Sequence, residues 1–132
     1  MRTYTGIAAA LLAGLELASA APCAASSLLY VTTYPPDGQP SGKVTTLKLG
    51  TSSLESVASS DACGPYPSWL TQASDLLYCV NEAWGSTTGG VLSSLKISAD
   101  GSLTKLNSIG TLGGPVSTIV YGDGGRGLAV AS

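Results

Sequence analysis

One run of residues recurs at a fixed distance along this chain. Leu28-Leu29-Tyr30-Val31 returns 48 residues later as Leu76-Leu77-Tyr78-Cys79. Lys43-Val44-Thr45-Thr46-Leu47-Lys48-Leu49 returns at the same offset as Val91-Leu92-Ser93-Ser94-Leu95-Lys96-Ile97. The turn and apolar triplet of Gly64-Pro65-Tyr66-Pro67-Ser68-Trp69-Leu70 are echoed by Gly114-Pro115-Val116-Ser117-Thr118-Ile119-Val120. A unit of about 40–50 residues built from short strands is the pattern of a β-propeller blade. One unit has an apolar face too small to stand alone, and stacking on its neighbours buries it. A β-sandwich also has short strands and frequent turns, but its strands seldom repeat in register over so long an offset.

The elements follow in order. Leu28 to Tyr34 is apolar, with β-branched residues and tyrosine, and reads as a strand. Residues 35–42 are a loop by composition, with Asp37-Gly38 a strong turn pair. Lys43 to Leu49 and Leu54 to Ala58 are further strands. Leu76 to Asn81, Val91 to Ile97 and Leu103 to Ile109 repeat them, with a hairpin turn at Ala99-Asp100-Gly101-Ser102. The predicted architecture is all-β. It is a partial β-propeller with one repeat at 28–75, a second at 76–127, and the first strand of a third at 128–132. That makes about two four-stranded blades, whereas ring closure takes about four to eight. The expectation is a piece of a longer ring, with open edges and apolar faces prone to self-association.

The first twenty residues have a different character. A short, positively charged start at Met1-Arg2-Thr3 precedes an Ala/Leu run from Gly6 to Leu17 and a small-x-small site at Ala18-Ser19-Ala20. This predicts a signal peptide at 1–20, a secreted protein, a short segment at 21–27, and no membrane anchor after cleavage. Secretion permits disulfides. Cys63 and Cys79 flank the joint between the repeats and could be bridged, although Cys79 also suits a plain buried strand position. With three cysteines, Cys23 is left over.

Composition narrows the chemistry. Only 11% of the residues are charged and the net charge is −2, so nucleic acid is not an expected partner. Histidine is absent, which removes imidazole catalysis and histidine metal sites from this chain. The five turn-flanked aspartates share no spacing that would converge on calcium. Neither a metal nor a cofactor is expected.

A few residues remain as site candidates. Glu82 ends a buried strand beside Asn81 and could act as a general acid or base, though the sequence favours a solvated loop residue. Tyr66, Trp69 and Trp84 could offer a flat platform to a sugar-like ring. For Trp69, packing between blades is the better reading. Arg126 could grip a carboxylate or phosphate. It lies within Gly122-Asp123-Gly124-Gly125-Arg126-Gly127, which formally fits GxGxxG, but the following Leu128-Ala129-Val130-Ala131 is a strand, so a hairpin turn is expected.

The ordered set of Leu28-Leu29-Tyr30-Val31, Gly64 to Leu70, Leu76 to Glu82, Gly113 to Val116 and Tyr121 to Ala131 resembles the N-terminal blades of the fungal lactonase family. These are seven-bladed propellers of the 6-phosphogluconolactonase and carboxy-cis,cis-muconate lactonising type. The resemblance implies a small-molecule lactone or sugar-acid substrate, handled by hydrolysis or cycloisomerisation without a cofactor. It also implies catalytic His, Arg and Glu residues on later blades, so this chain alone is expected to be inactive. A non-catalytic propeller binding a glycan or a protein is the alternative.

Overall fold

A computed structural model of the chain describes residues 27–37, 39–84 and 87–132. The expected signal peptide and all but Ser27 of the expected segment at 21–27, Cys23 included, lie outside them. Among the described residues, nine strands form three antiparallel sheets. The first joins β1 (Ser27–Thr33), β2 (Lys43–Leu49) and β3 (Leu54–Ser60). The second joins β4 (Pro67–Ala73), β5 (Leu76–Asn81), β6 (Val91–Ile97) and β7 (Leu103–Gly110). The third pairs β8 (Ser117–Tyr121) with β9 (Gly127–Ala131).

The repeat is visible in the register. β2 and β3 slip between Thr46 and Leu47, and β6 and β7 slip between Ser94 and Leu95, the same place one repeat later. A β-bulge of this kind bends and twists a strand, so consecutive sheets carry the same local distortion. Asp100-Gly101 closes the turn between β6 and β7. Gly101 takes φ 86°, which a side chain would resist, and its N–H donates to the Ser98 carbonyl at 2.9 Å. The Asp100 carboxylate accepts from Ser102 N at 3.0 Å and from Ser102 Oγ at 2.7 Å. These bonds hold its pKa below the ordinary value.

The hydrogen-bonded sheets are offset from the sequence repeat by one strand. The Ser68-Trp69-Leu70 triplet closes the first repeat in sequence, yet it belongs to β4, which pairs with β5 and heads the second sheet. The third sheet likewise opens with β8 as well as β9. A tight hairpin at Ser74-Asp75 makes β4 pair forwards. Ala73 lies opposite Leu76, and Ser74 takes the left-handed φ of 55° that such a turn needs.

The core lies between the first two sheets. Val44, Cys63, Leu77, Cys79 and Leu95 are buried there, with Tyr30, Leu70, Ile97 and Leu103 packed against them. The repeat makes the cause of burial plain. Leu77 and Cys79 occupy the positions of Leu29 and Val31 one unit earlier. Leu77 is 1% exposed and Cys79 0%, whereas Leu29 is 42% exposed and Val31 44%. The first sheet covers the later pair, and no described sheet packs over the earlier one. Leu29, Leu47, Leu49 and Leu54 share that open face by their cross-strand pairing.

Cys63 and Cys79 are disulfide-bonded, with Cα atoms 5.8 Å apart. The bond ties the connection between the first two sheets to the second strand of the next sheet.

Candidate functional site

The strands that begin successive sheets stand side by side, with β4 packed against both β1 and β8. Hydroxyl groups tie them together. Thr71 Oγ1 donates to the Thr118 carbonyl at 2.8 Å and lies 2.7 Å from Thr118 Oγ1, and Ser68 Oγ donates to the Pro115 carbonyl at 3.4 Å. β4 and β8 therefore run the same way. The loops that leave β1 and β5 and those that enter β4 and β8 gather at one end of the sheets.

At that end the chain builds a polar cluster from Tyr34, Tyr66, Asn81 and Glu82. Asn81 closes β5 and is 6% exposed. Its Oδ1 accepts from Tyr66 N and from Ala83 N, both at 3.1 Å. Glu82 N donates to the Tyr66 carbonyl at 3.1 Å. Ala83 takes a left-handed φ of 49°, uncommon for a residue with a side chain, and the Asn81 amide holds it there. Gly64 stands at φ 104°, where a Cβ would meet the Asn81 amide nitrogen. The amide of Asn81 thus fixes the entry to β4 and the exit from β5 together.

Glu82 is 8% exposed, which corrects its reading as a solvated loop residue. A carboxylate so buried requires a partner, and the Tyr34 hydroxyl supplies one by donating to Glu82 Oε1 at 2.5 Å. The partner comes from the neighbouring sheet, so the sequence next to Glu82 gave no sign of it. The Tyr34 hydroxyl is pushed above its ordinary pKa. The hydrogen bond to Glu82 is the main cause, followed by desolvation and by the negative charge of Glu82. Tyr34 therefore keeps its proton and donates a hydrogen bond to Glu82. Its ring meets that of Tyr66 edge-on, with centroids 6.1 Å apart and planes at 72°, a favourable aromatic geometry.

The other candidates are scattered. Tyr66 belongs to the cluster. Trp84, two residues beyond Glu82, is 75% exposed. Trp69 was expected between blades as core but is 47% exposed. It lines a cleft of about 580 Å³ against Thr118, Ile119 and Val130, because the third sheet has only two strands to lay over that face. Its indole N–H donates to Thr71 Oγ1 at 3.2 Å. Arg126 is exposed in the turn between β8 and β9. That turn lies at the opposite end of the strands from Glu82, so the two do not form one site. The expected hairpin, not a phosphate loop, occupies the glycine-rich stretch.

Sequence reasoning missed Tyr34. It counted only as the last residue of a strand. The signal that could have found it is positional, since Tyr34 and Glu82 stand 48 residues apart, one repeat.

Short antiparallel sheets that repeat in sequence, carry the same bulge and pack one on the next through their leading strands are propeller blades. The family model for the seven-bladed β-propeller lactonases matches residues 28–132, and the chain belongs to that family. No curated protein and no solved structure matches it significantly.

Proposed function

We propose that this chain supplies the first blades of a secreted propeller enzyme that opens or closes a sugar-acid lactone. The observation that carries the reading is the family match over residues 28–132, laid on consecutive blade sheets whose loops gather beside Glu82. In the hydrolytic direction water adds to the lactone carbonyl, the ring C–O bond breaks, and a hydroxy acid and a proton are released. Seven four-stranded blades take about 28 strands, and the described residues hold nine. The activity accordingly belongs to the closed ring, and residues 21–132 alone are inactive. The signal-type start and the Cys63–Cys79 disulfide support the secreted reading, because such bonds persist in oxidising compartments.

The test takes the native protein from culture medium, measures its intact mass, and follows acid release from a sugar-acid lactone at constant pH. The expected result is a mass well beyond that of residues 21–132, together with hydrolysis above the spontaneous rate. A full ring without hydrolysis or cycloisomerisation would replace this reading with a binding propeller. A native mass equal to residues 21–132 would overturn the ring itself.

A further inference from the structure

Beside the Tyr34–Glu82 pair is a cleft of about 150 Å³, lined by Thr32, Tyr34, Pro67 and Ser68. It lies where the end of β1 meets the start of β4. Three of its four lining residues carry hydroxyl groups, and the protons of two are already engaged. Tyr34 donates to Glu82 Oε1, and Ser68 donates to the Pro115 carbonyl. A hydroxyl has one proton and two lone pairs, so what these two oxygens have left to offer is acceptor capacity.

We propose that this cleft is a subsite for the hydroxyl groups of a neutral polyol ring. The inference deepens the lactone reading by assigning these residues to the hydroxylated part of the substrate. The Tyr34 and Ser68 oxygens are met only by a ligand that brings donors, and the alcohol groups of a sugar-type ring do. A carboxylate or phosphate brings none, and at Tyr34 and Ser68 it would meet two oxygens with no proton to give. Its anionic groups are bound elsewhere in the ring. Tyr34 and Ser68 make the contacts. Glu82 is a positioning residue that accepts the Tyr34 hydrogen bond and so fixes which way that hydroxyl presents itself. The raised pKa of Tyr34 agrees with a hydroxyl held in its donor state.

The test uses the full chain and 1,5-anhydro-D-glucitol, a polyol ring with no carbonyl to react and no charge. Tyr34 ring resonances are followed by NMR during titration, and acetate, an anion without alcohol groups, serves as the anionic comparison. The polyol is expected to shift Tyr34 saturably, and the anion is not expected to do so at the same concentrations. Tyr34→Phe and Ser68→Ala should each weaken polyol binding about fivefold, the loss of one neutral hydrogen bond. In Glu82→Gln the Tyr34 titration should move down towards 10.0 as polyol binding weakens. Equal or tighter binding of the anion overturns the proposal, as does polyol binding unchanged by both hydroxyl deletions. If a variant fails to fold, the comparison of polyol with anion on the unaltered chain still decides. Because no turnover is measured, polyol binding without lactone hydrolysis overturns only the enzyme reading. Hydrolysis without polyol binding overturns only the subsite.

Discussion

Tyr34 donates its hydroxyl proton to Glu82 across 2.5 Å, and the two residues are 48 positions apart, the period of the repeat. They hold the same place in consecutive units, just beyond the end of an equivalent strand. The contact is therefore between two copies of one position that have diverged into a donor and an acceptor. The backbone repeat sets the distance, and the side chains supply the chemistry.

This pairing gives stability a defined pH dependence. The folded pKa of Tyr34 lies above its ordinary value of 10.0, first because of its bond to Glu82. Its contribution is fully present below about pH 10 and is lost as pH rises through the folded pKa. Urea midpoints measured from pH 8 to 12 should fall across that window. The fall attributable to Tyr34 should be absent in Tyr34→Phe.

Reduction of the Cys63–Cys79 bond should weaken the fold substantially. It closes a loop with a sequence separation of 16, for which chain entropy suggests about 3 kcal/mol. A Cys63→Ala/Cys79→Ala chain should show a lower urea midpoint than the oxidised protein, and reductant should then have no further effect on it.

Two glycines should respond differently to alanine. A Cβ at Gly42 would run into the Thr33 carbonyl, the Pro67 ring and the Pro65 carbonyl. Two of these are backbone atoms that cannot swing away, so Gly42→Ala should cost roughly 2 kcal/mol or more. A Cβ at Gly113 meets nothing within 4 Å, so Gly113→Ala should stay within roughly 0.5 kcal/mol. Denaturant unfolding of the pair checks both.

The open face of the first sheet should drive self-association. Leu29 and Val31 are exposed there on β1, a seven-residue strand without charge or proline. Edges and faces of that kind recruit other chains unless protected. Sedimentation velocity should show concentration-dependent association of residues 21–132, reduced in Leu29→Lys/Val31→Lys. A monomer at all concentrations would refute this.

Much of the fold could be read along the chain because its signals are local and repeated. The strands at Lys43 and Val91 and the turn at Asp100-Gly101 depend on alternation and turn chemistry within a few residues. The strand role of Ser68-Trp69-Leu70 was harder to read. Prolines at 65 and 67 flank the triplet, and strand preference of this kind follows the partner strand more than the residue. Only pairing with β5 made it a strand. Trp69 went wrong for a related reason, since its burial depends on how many strands the neighbouring sheet lays over it.

The sequence by itself determined the repeat, the all-β class, the positions of most strands and turns, and the family. Each follows from residue order over short windows, or from comparing one window with another. Tertiary structure alone decided which sheet β4 joins, that Cys63 meets Cys79, that Glu82 is buried, and that Tyr34 is its partner. These depend on distances between residues far apart in the chain. Such distances are set when one sheet packs on the next, so each residue's own neighbours in sequence leave no mark of them.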